Sequence, residues 1–168
     1  MKKMLLILAV VAFAVWPNTV GAQGGFEDVT GSSAKAIPSH FEVGEDQVPV
    51  ETQNAAVLKT PSGGQVIVAI LNSRNFPPRI SRKYTGMIIA HAKVSLCGNP
   101  IDTGTYGFGL VAPPRKADGT LYLFNRSGDT VLNCTATREE SAAPKPLAVT
   151  VSKSAAKLSF YGYSVDLK

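Results

Sequence analysis

Apolar and polar residues alternate along most of the chain after residue 55, and this two-residue period restricts the fold more than any other feature of the sequence. The clearest case is GMIIAHAKVSLC, residues 86–97, whose apolar face carries Ile88, Ala90, Ala92, Val94 and Leu96. Such alternation is typical of a half-buried β-strand, because successive side chains of a strand point to opposite faces. Turn-forming residues interrupt the pattern about every eight to twelve residues. The sequence therefore predicts an all-β fold, an antiparallel β-sandwich or barrel-like structure of about seven to nine strands.

Residues 99–114, NPIDTGTYGFGLVAPP, contain three glycines within six positions. A phosphate-binding loop places its glycines in a turn that opens onto a helix, whereas a pair of prolines and no helical period follow here. The glycines are therefore interpreted as part of a strand whose aromatic residues face the core. Gly107 and Gly109 then leave bare backbone on the opposite face, and we expect the large side chain of Tyr161 or Tyr163 to cover it.

Local composition predicts two further features of the strand pattern. PSGG, residues 61–64, separates the apolar segments AVLKT and QVIVAIL and predicts a hairpin loop. In the last strand, residues 158–167, the alternation slips at Phe160 and Tyr161, and the adjacent Gly162 indicates a β-bulge.

The first 22 residues have the organisation of a signal peptide. Lys2 and Lys3 precede an apolar run over residues 4–15, and small or branched residues follow in Val-Gly-Ala, residues 20–22. The run is shorter than a membrane-spanning helix needs, and no comparable run follows it. We therefore expect the chain to lose residues 1–22 and to be secreted to the periplasm, the cell surface or the extracellular space, with no transmembrane segment left.

Both cysteines, Cys97 and Cys134, lie in the part of the chain that would be exported. An even number of cysteines in an oxidising compartment usually forms disulfides. A redox or metal role would call for a Cys-x-x-Cys motif or more histidines than the two present. The sequence therefore predicts a structural disulfide between Cys97 and Cys134.

Charge is distributed unevenly along the exported part. Residues 23–51 hold six acidic residues and one lysine, whereas residues 52–168 hold fourteen basic and six acidic residues. Residues 23–54 also lack a sustained period, so they are predicted to form an extended acidic leader ahead of a β-sandwich domain at 55–168. The opposite charges predict electrostatic attraction between the leader and the domain.

The sequence contains no G-x-S-x-G, H-E-x-x-H or phosphate-loop motif. Two S-x-x-K matches, at residues 32–35 and 154–157, lie outside any helical pattern that would bring the serine and the lysine together. His40 near Glu42 and Asp46 is too sparse a set for a metal site, and His91 is interpreted as a solvated strand residue. We expect no enzymatic activity, no cofactor, no metal and no nucleic-acid partner.

One segment is a candidate binding surface, because it combines four basic residues with a phenylalanine and no acidic residue: RNFPPRISRK, residues 74–83. Its prolines restrict the loop and so lower the entropic cost of binding, and arginine favours phosphate and carboxylate groups. The expected partners are an anionic glycan, a lipid head group, an envelope protein or the acidic leader itself. The predicted contact residues are Arg74, Phe76, Arg79, Arg82 and Lys83.

VSLCGNPIDTGTYGFGLVAPP, followed by DGTLYLFNRSGD, resembles a family of secreted bacterial β-sandwich proteins of unassigned function. The match covers about residues 94–129 and is carried by Gly98, Pro100, Gly104 and Tyr106, within a strand, a G-x-P turn and a G-x-Y strand. The resemblance implies export and a β-sandwich, and it implies no active site.

Together these observations predict a secreted or periplasmic, non-catalytic β-sandwich that binds an anionic envelope or extracellular partner through residues 74–83. The alternative is a structural or filament subunit that self-assembles by donating a strand from its leader to a neighbouring copy, since an extended leader ahead of a sandwich suits strand donation.

Overall fold

The computed structural model describes residues 24–113, 117–140 and 143–168. These residues form thirteen strands and three single-turn helices. The strands are β1 (Glu27–Asp28), β2 (His40–Val43), β3 (Asp46–Lys59), β4 (Gln65–Leu71), β5 (Gly86–Ala90), β6 (Val94–Leu96), β7 (Asn99–Ile101), β8 (Gly104–Val111), β9 (Gly119–Phe124), β10 (Thr130–Arg138), β11 (Ala148–Val151), β12 (Ala156–Phe160) and β13 (Tyr163–Leu167). The helices are α1 (Thr30–Ser33), a 3₁₀ turn (Ala34–Ala36) and α2 (Pro78–Ser81).

Hydrogen bonds join the strands in the order β1-β3-β4-β5-β8-β9-β10-β13-β12-β11, with β2 on β3, and β6 linking β13 to β7. All neighbours in the described residues are antiparallel, so the predicted all-β antiparallel fold is confirmed. The strands outnumber the seven to nine expected, because the structure adds strands of two to four residues that carry too few residues to show a period.

The sheet changes layer at β10. This strand pairs with β9 from Thr130 to Ala136 but with β13 only at Thr137 and Arg138. Strands β11 to β13, together with β6 and β7, therefore form a second layer over β1, β3, β4, β5, β8 and β9. The two layers enclose an inner core in which the rings of Phe108 and Phe160 lie 4.5 Å apart. At the other end of the path β1 contacts β11, which makes the sandwich barrel-like.

A second, outer core lies on the opposite face of the first layer. Phe41 and Val48 from the β2–β3 hairpin pack there on Ile67 and Met87, beside Tyr84. Residues 24–54, expected as an extended leader, are thus largely extended and lie along the domain, and β3 runs through the expected boundary at residue 54. The charge asymmetry acts as expected, because leader carboxylates pair with cations of the domain: Glu27 with Lys59, Asp46 with Arg79 and Glu42 with Arg126.

Residues 86–97, expected as one strand, form two. The chain bends at His91 and Ala92, so that β5 pairs with β4 and β8 while β6 crosses to β13 in the second layer. One straight strand cannot belong to both layers, which explains the bend. The assignment of faces is correct except at the bend, since Ile88, Ala90, Val94 and Leu96 all enter the inner core.

The predicted bulge at Gly162 is a hairpin turn instead. Tyr161 and Gly162 have φ of 51° and 84°, and Phe160 pairs with Tyr163 across them. Positive φ at both central residues is typical of a type I′ turn. The alternation slips at this point because the chain reverses direction. The predicted hairpin at residues 61–64 is confirmed, with Lys59 paired to Gln65.

The predicted disulfide is present. Cys97, in the turn between β6 and β7, is bonded to Cys134 of β10, 37 positions along the chain. It links the β6–β7 hairpin of the second layer to the strand at which the layers meet. In the described residues, no helix has the length and apolar character needed to cross a membrane.

Candidate functional site

The glycine strip of β8 is covered, but by other residues than expected. A Cβ at Gly107 would lie 2.5 Å from Cδ1 of Tyr84, and Gly109 lies under the backbone carbonyl of Lys83. Tyr161 is 43% exposed in its turn, and Tyr163 packs on Gly119. The prediction of Tyr161 or Tyr163 as the cover was wrong, because the strip faces the outer core and both tyrosines belong to the second layer.

The basic segment approaches this strip as a short helix. Pro77 and Pro78 begin α2, where a proline at the first helical position suits its fixed φ. Ile80 is fully buried in the outer core and anchors the turn. With Ile80 directed inward, the side chains of Arg79 and Arg82 remain exposed. The sequence therefore places two arginines beside the β8 glycines.

Lys83 is held in place by the sheet. Its Nζ donates a hydrogen bond of 2.6 Å to the Gly128 carbonyl and lies 4.6 Å from the ring centroid of Phe124 and 5.4 Å from that of Tyr84. All three contacts are favourable for an ammonium group, and the two with the rings act through cation–π attraction. Burial raises the pKa of the Tyr84 hydroxyl, whose ring lies beside this ammonium group.

A groove of about 620 Å³ lies between the basic segment and the outer face of β8, β9 and β10. Its floor contains the parallel rings of Tyr122 and Phe124, with centroids 6.4 Å apart, and Val111, which is 58% exposed. None of the described residues that line it is acidic. The lining comprises Pro78, Arg79, Arg82, Lys83, Gly109, Leu110, Val111, Tyr122, Phe124 and Thr130. We call this surface the α2 groove.

Three of the five predicted contact residues line the α2 groove: Arg79, Arg82 and Lys83. Phe76 is instead partly buried against the outer core. Arg74 lies near Tyr161: burial raises the pKa of the Tyr161 hydroxyl, the Glu51 carboxylate adds to this rise, and the Arg74 charge opposes it. The structure thus divides the predicted set between the groove and its surroundings.

Sequence reasoning missed the floor of the groove, which β8, β9 and β10 supply. One signal was available in TLYLF, residues 120–124, where apolar side chains occur on both faces of the strand. Leu121 and Leu123 enter the inner core, so Tyr122 and Phe124 face outward. A strand apolar on both faces indicates that its second face is also covered or used.

The cations of the groove differ in what they contact. Arg79 pairs with Asp46, and the side chains of this pair are 63% and 28% exposed. Across residues 24–113, 117–140 and 143–168, no carboxylate lies within ion-pair distance of Arg82. Arg82 therefore supplies a guanidinium that an anion can approach without displacing a partner.

A second depression, of about 370 Å³, lies on the other side of the β2–β3 hairpin. Arg126, one of its lining residues, donates a 2.7 Å hydrogen bond to Glu42, so its charge is already compensated. His40, another lining residue, contacts the Ser39 hydroxyl at 3.0 Å through Nδ1. In the part of the chain that the structure describes, no group of three or more His, Cys, Asp or Glu residues is placed to hold a metal ion.

Comparisons of this chain with protein-family models, with curated proteins and with solved structures find no match. The resemblance at residues 94–129 therefore stays a prediction, and any inference about function depends on the α2 groove itself.

Proposed function

We propose that this protein is a secreted, non-catalytic β-sandwich that binds an anionic partner of the cell envelope or the extracellular space through the α2 groove. The observation that carries the proposal is the convergence of Arg79, Arg82 and Lys83 on an apolar floor that includes the exposed Val111. Exposed apolar surface with a polar rim is typical of ligand-binding grooves and interaction sites.

The chemistry of the wall supports an anion. Arginine presents a planar fork of donors that matches carboxylate, sulfate and phosphate groups. No acidic residue is among the described lining, and Asp46 is the carboxylate that pairs with a lining cation, Arg79. The volume lies within the range of about 300–1,000 Å³ that is usual for small-molecule sites.

Export is supported by the disulfide, since such bonds form and persist in oxidising compartments. The alternative, a filament subunit built by strand donation, has no comparable support. Within the described residues β1 and β2 pair with β3, and β3 pairs with β4 of the same chain. A leader that donated its strand to a neighbour would first have to break these ladders.

The test is retention on an anionic matrix, such as a heparin column eluted with salt. We expect the double variant Arg79→Ser/Arg82→Ser to elute at clearly lower salt than the wild type, because it loses the two exposed guanidinium groups among the described lining residues. Lys83 is left unchanged because its bond to Gly128 contributes to stability. Melting temperatures should agree closely, since an exposed ion pair such as Arg79–Asp46 contributes at most about 1 kcal/mol.

The matched control is Arg74→Ser/Lys93→Ser, which removes the same charge outside the α2 groove. If this control lowers the elution salt as much as the groove variant does, retention depends on net charge alone and the proposal is wrong.

A further inference from the structure

We propose that the ligand of the α2 groove is a single-chain anionic amphiphile, with its anionic head on the arginines and its alkyl chain on the apolar floor. This inference rests on the proposed function and goes beyond it, because it selects one chemical class among the anions that arginine recognises. The reasons lie in the apolar floor and in the place at which the cations meet it.

The floor is more apolar and more exposed than recognition of a fully polar anion requires. The side chains of Val111 on β8 and of Tyr122 and Phe124 on β9 share the outer face of these paired strands. Val111 is the most exposed of the large apolar side chains in the described residues, at 58%. Water in contact with such a surface is displaced favourably by an alkyl chain, whereas a polar glycan gains little from it.

Cations and apolar floor are also separated along the strands. The basic segment meets the floor at Gly109 and Phe124, where the Lys83 carbonyl and Nζ lie. Val111 pairs with Thr120, which is four positions before Phe124 on β9. The four positions along β9 correspond to about 13 Å, and the two positions from Gly109 to Val111 along β8 correspond to about 7 Å. A ligand that uses both ends therefore carries its charge at one end and its apolar part at the other.

The experiment is a chain-length series measured by isothermal titration calorimetry, with monomeric alkyl phosphates below their micellar concentrations. Inorganic phosphate, butyl, hexyl, octyl and decyl phosphate keep the head group and lengthen the tail. We expect the affinity to rise about two- to fourfold with each added methylene from butyl to octyl, as for partial to complete burial of a CH₂ group. Octyl glucoside, with the same tail and no charge, should bind at least tenfold more weakly than octyl phosphate.

Two variants separate tail recognition from head recognition. Val111→Ser should weaken octyl phosphate at least threefold and leave butyl phosphate unchanged, whereas Arg82→Ser should weaken both by a similar factor. The matched control is Val151→Ser, on β11 outside the groove, where the side chain is 37% exposed. Because Val111 and Val151 are both exposed, both variants should keep the wild-type melting temperature.

If the affinity does not depend on chain length, the amphiphile proposal is wrong. The anion-binding function is still supported in that case if the Arg79→Ser/Arg82→Ser variant elutes from the anionic matrix at lower salt than the wild type. Binding to phosphatidylglycerol vesicles without binding of monomeric octyl phosphate also overturns it, in favour of a bilayer surface. If no alkyl phosphate binds and the matrix does not distinguish the groove variant, the proposed function fails as well.

Discussion

Gly107 and Gly109 of β8 leave space for two groups that pack directly on the strand. The Tyr84 ring occupies the space of a side chain at Gly107, and the Lys83 carbonyl occupies that space at Gly109. A side chain at either position would lift the segment after α2 away from the sheet. These two glycines therefore position the cations of the α2 groove, although Gly107 itself does not line it.

Gly107→Ala should destabilise the protein by about 1–3 kcal/mol, the usual cost of overpacking a core. The new Cβ would meet Cδ1 of Tyr84 at 2.5 Å and Cζ of Phe41 at 3.2 Å. The matched control is Gly31→Ala in α1, where nothing lies within 4 Å of the added atom. Urea denaturation of both variants measures the difference, and equal stabilities would show that Tyr84 does not pack on β8 as described.

Among the elements, the β2–β3 hairpin connects the leader to the site. Phe41 and Val48 fix its base in the outer core. Two ion pairs, Asp46–Arg79 and Glu42–Arg126, tie the hairpin to the domain. Since Arg79 also lines the α2 groove, the Asp46 carboxylate pairs with a cation that an anionic ligand would contact. The hairpin thus supplies an internal competitor for part of the site.

Asp46→Asn should strengthen retention on the anionic matrix, with affinity rising up to about fivefold, because an exposed ion pair of at most about 1 kcal/mol no longer has to be broken. Glu27→Gln is the matched control: it removes the same charge and breaks the pair with Lys59, outside the groove. Elution at increasing salt compares the variants, and an equal shift in both would show that Asp46 does not compete.

For the whole molecule, the sequence indicated the strands and the disulfide but not how the strands combine. Alternation at Ile88 and Leu96 identified their face, because the period of side chains is a local property. It did not identify the strand beside each of them, which depends on packing between distant segments. The α2 groove illustrates the same limit: its cations adjoin in sequence, whereas Val111, Tyr122 and Thr130 come from three different strands. Only their pairing in one sheet brings them together.

Cys97→Ser/Cys134→Ser should lower the free energy of unfolding by about 4 kcal/mol, from the loop-closure entropy of a span this long. Within the described strands, β10 pairs with β13 only at Thr137 and Arg138. The disulfide therefore lies where the backbone ladder between the layers is short. Urea denaturation of the double variant, beside wild type with and without reductant, measures the effect. An unchanged free energy would show that the bond does not contribute to stability.

Tyr122 gives the α2 groove an intrinsic optical reporter. It is one of five tyrosines, and the single tryptophan of the chain is Trp16, within the segment expected to be cleaved. The processed protein would therefore have no indole to mask phenol emission. An occupant lying on the Tyr122 ring would change its fluorescence, so that ligands can be screened without attaching a dye.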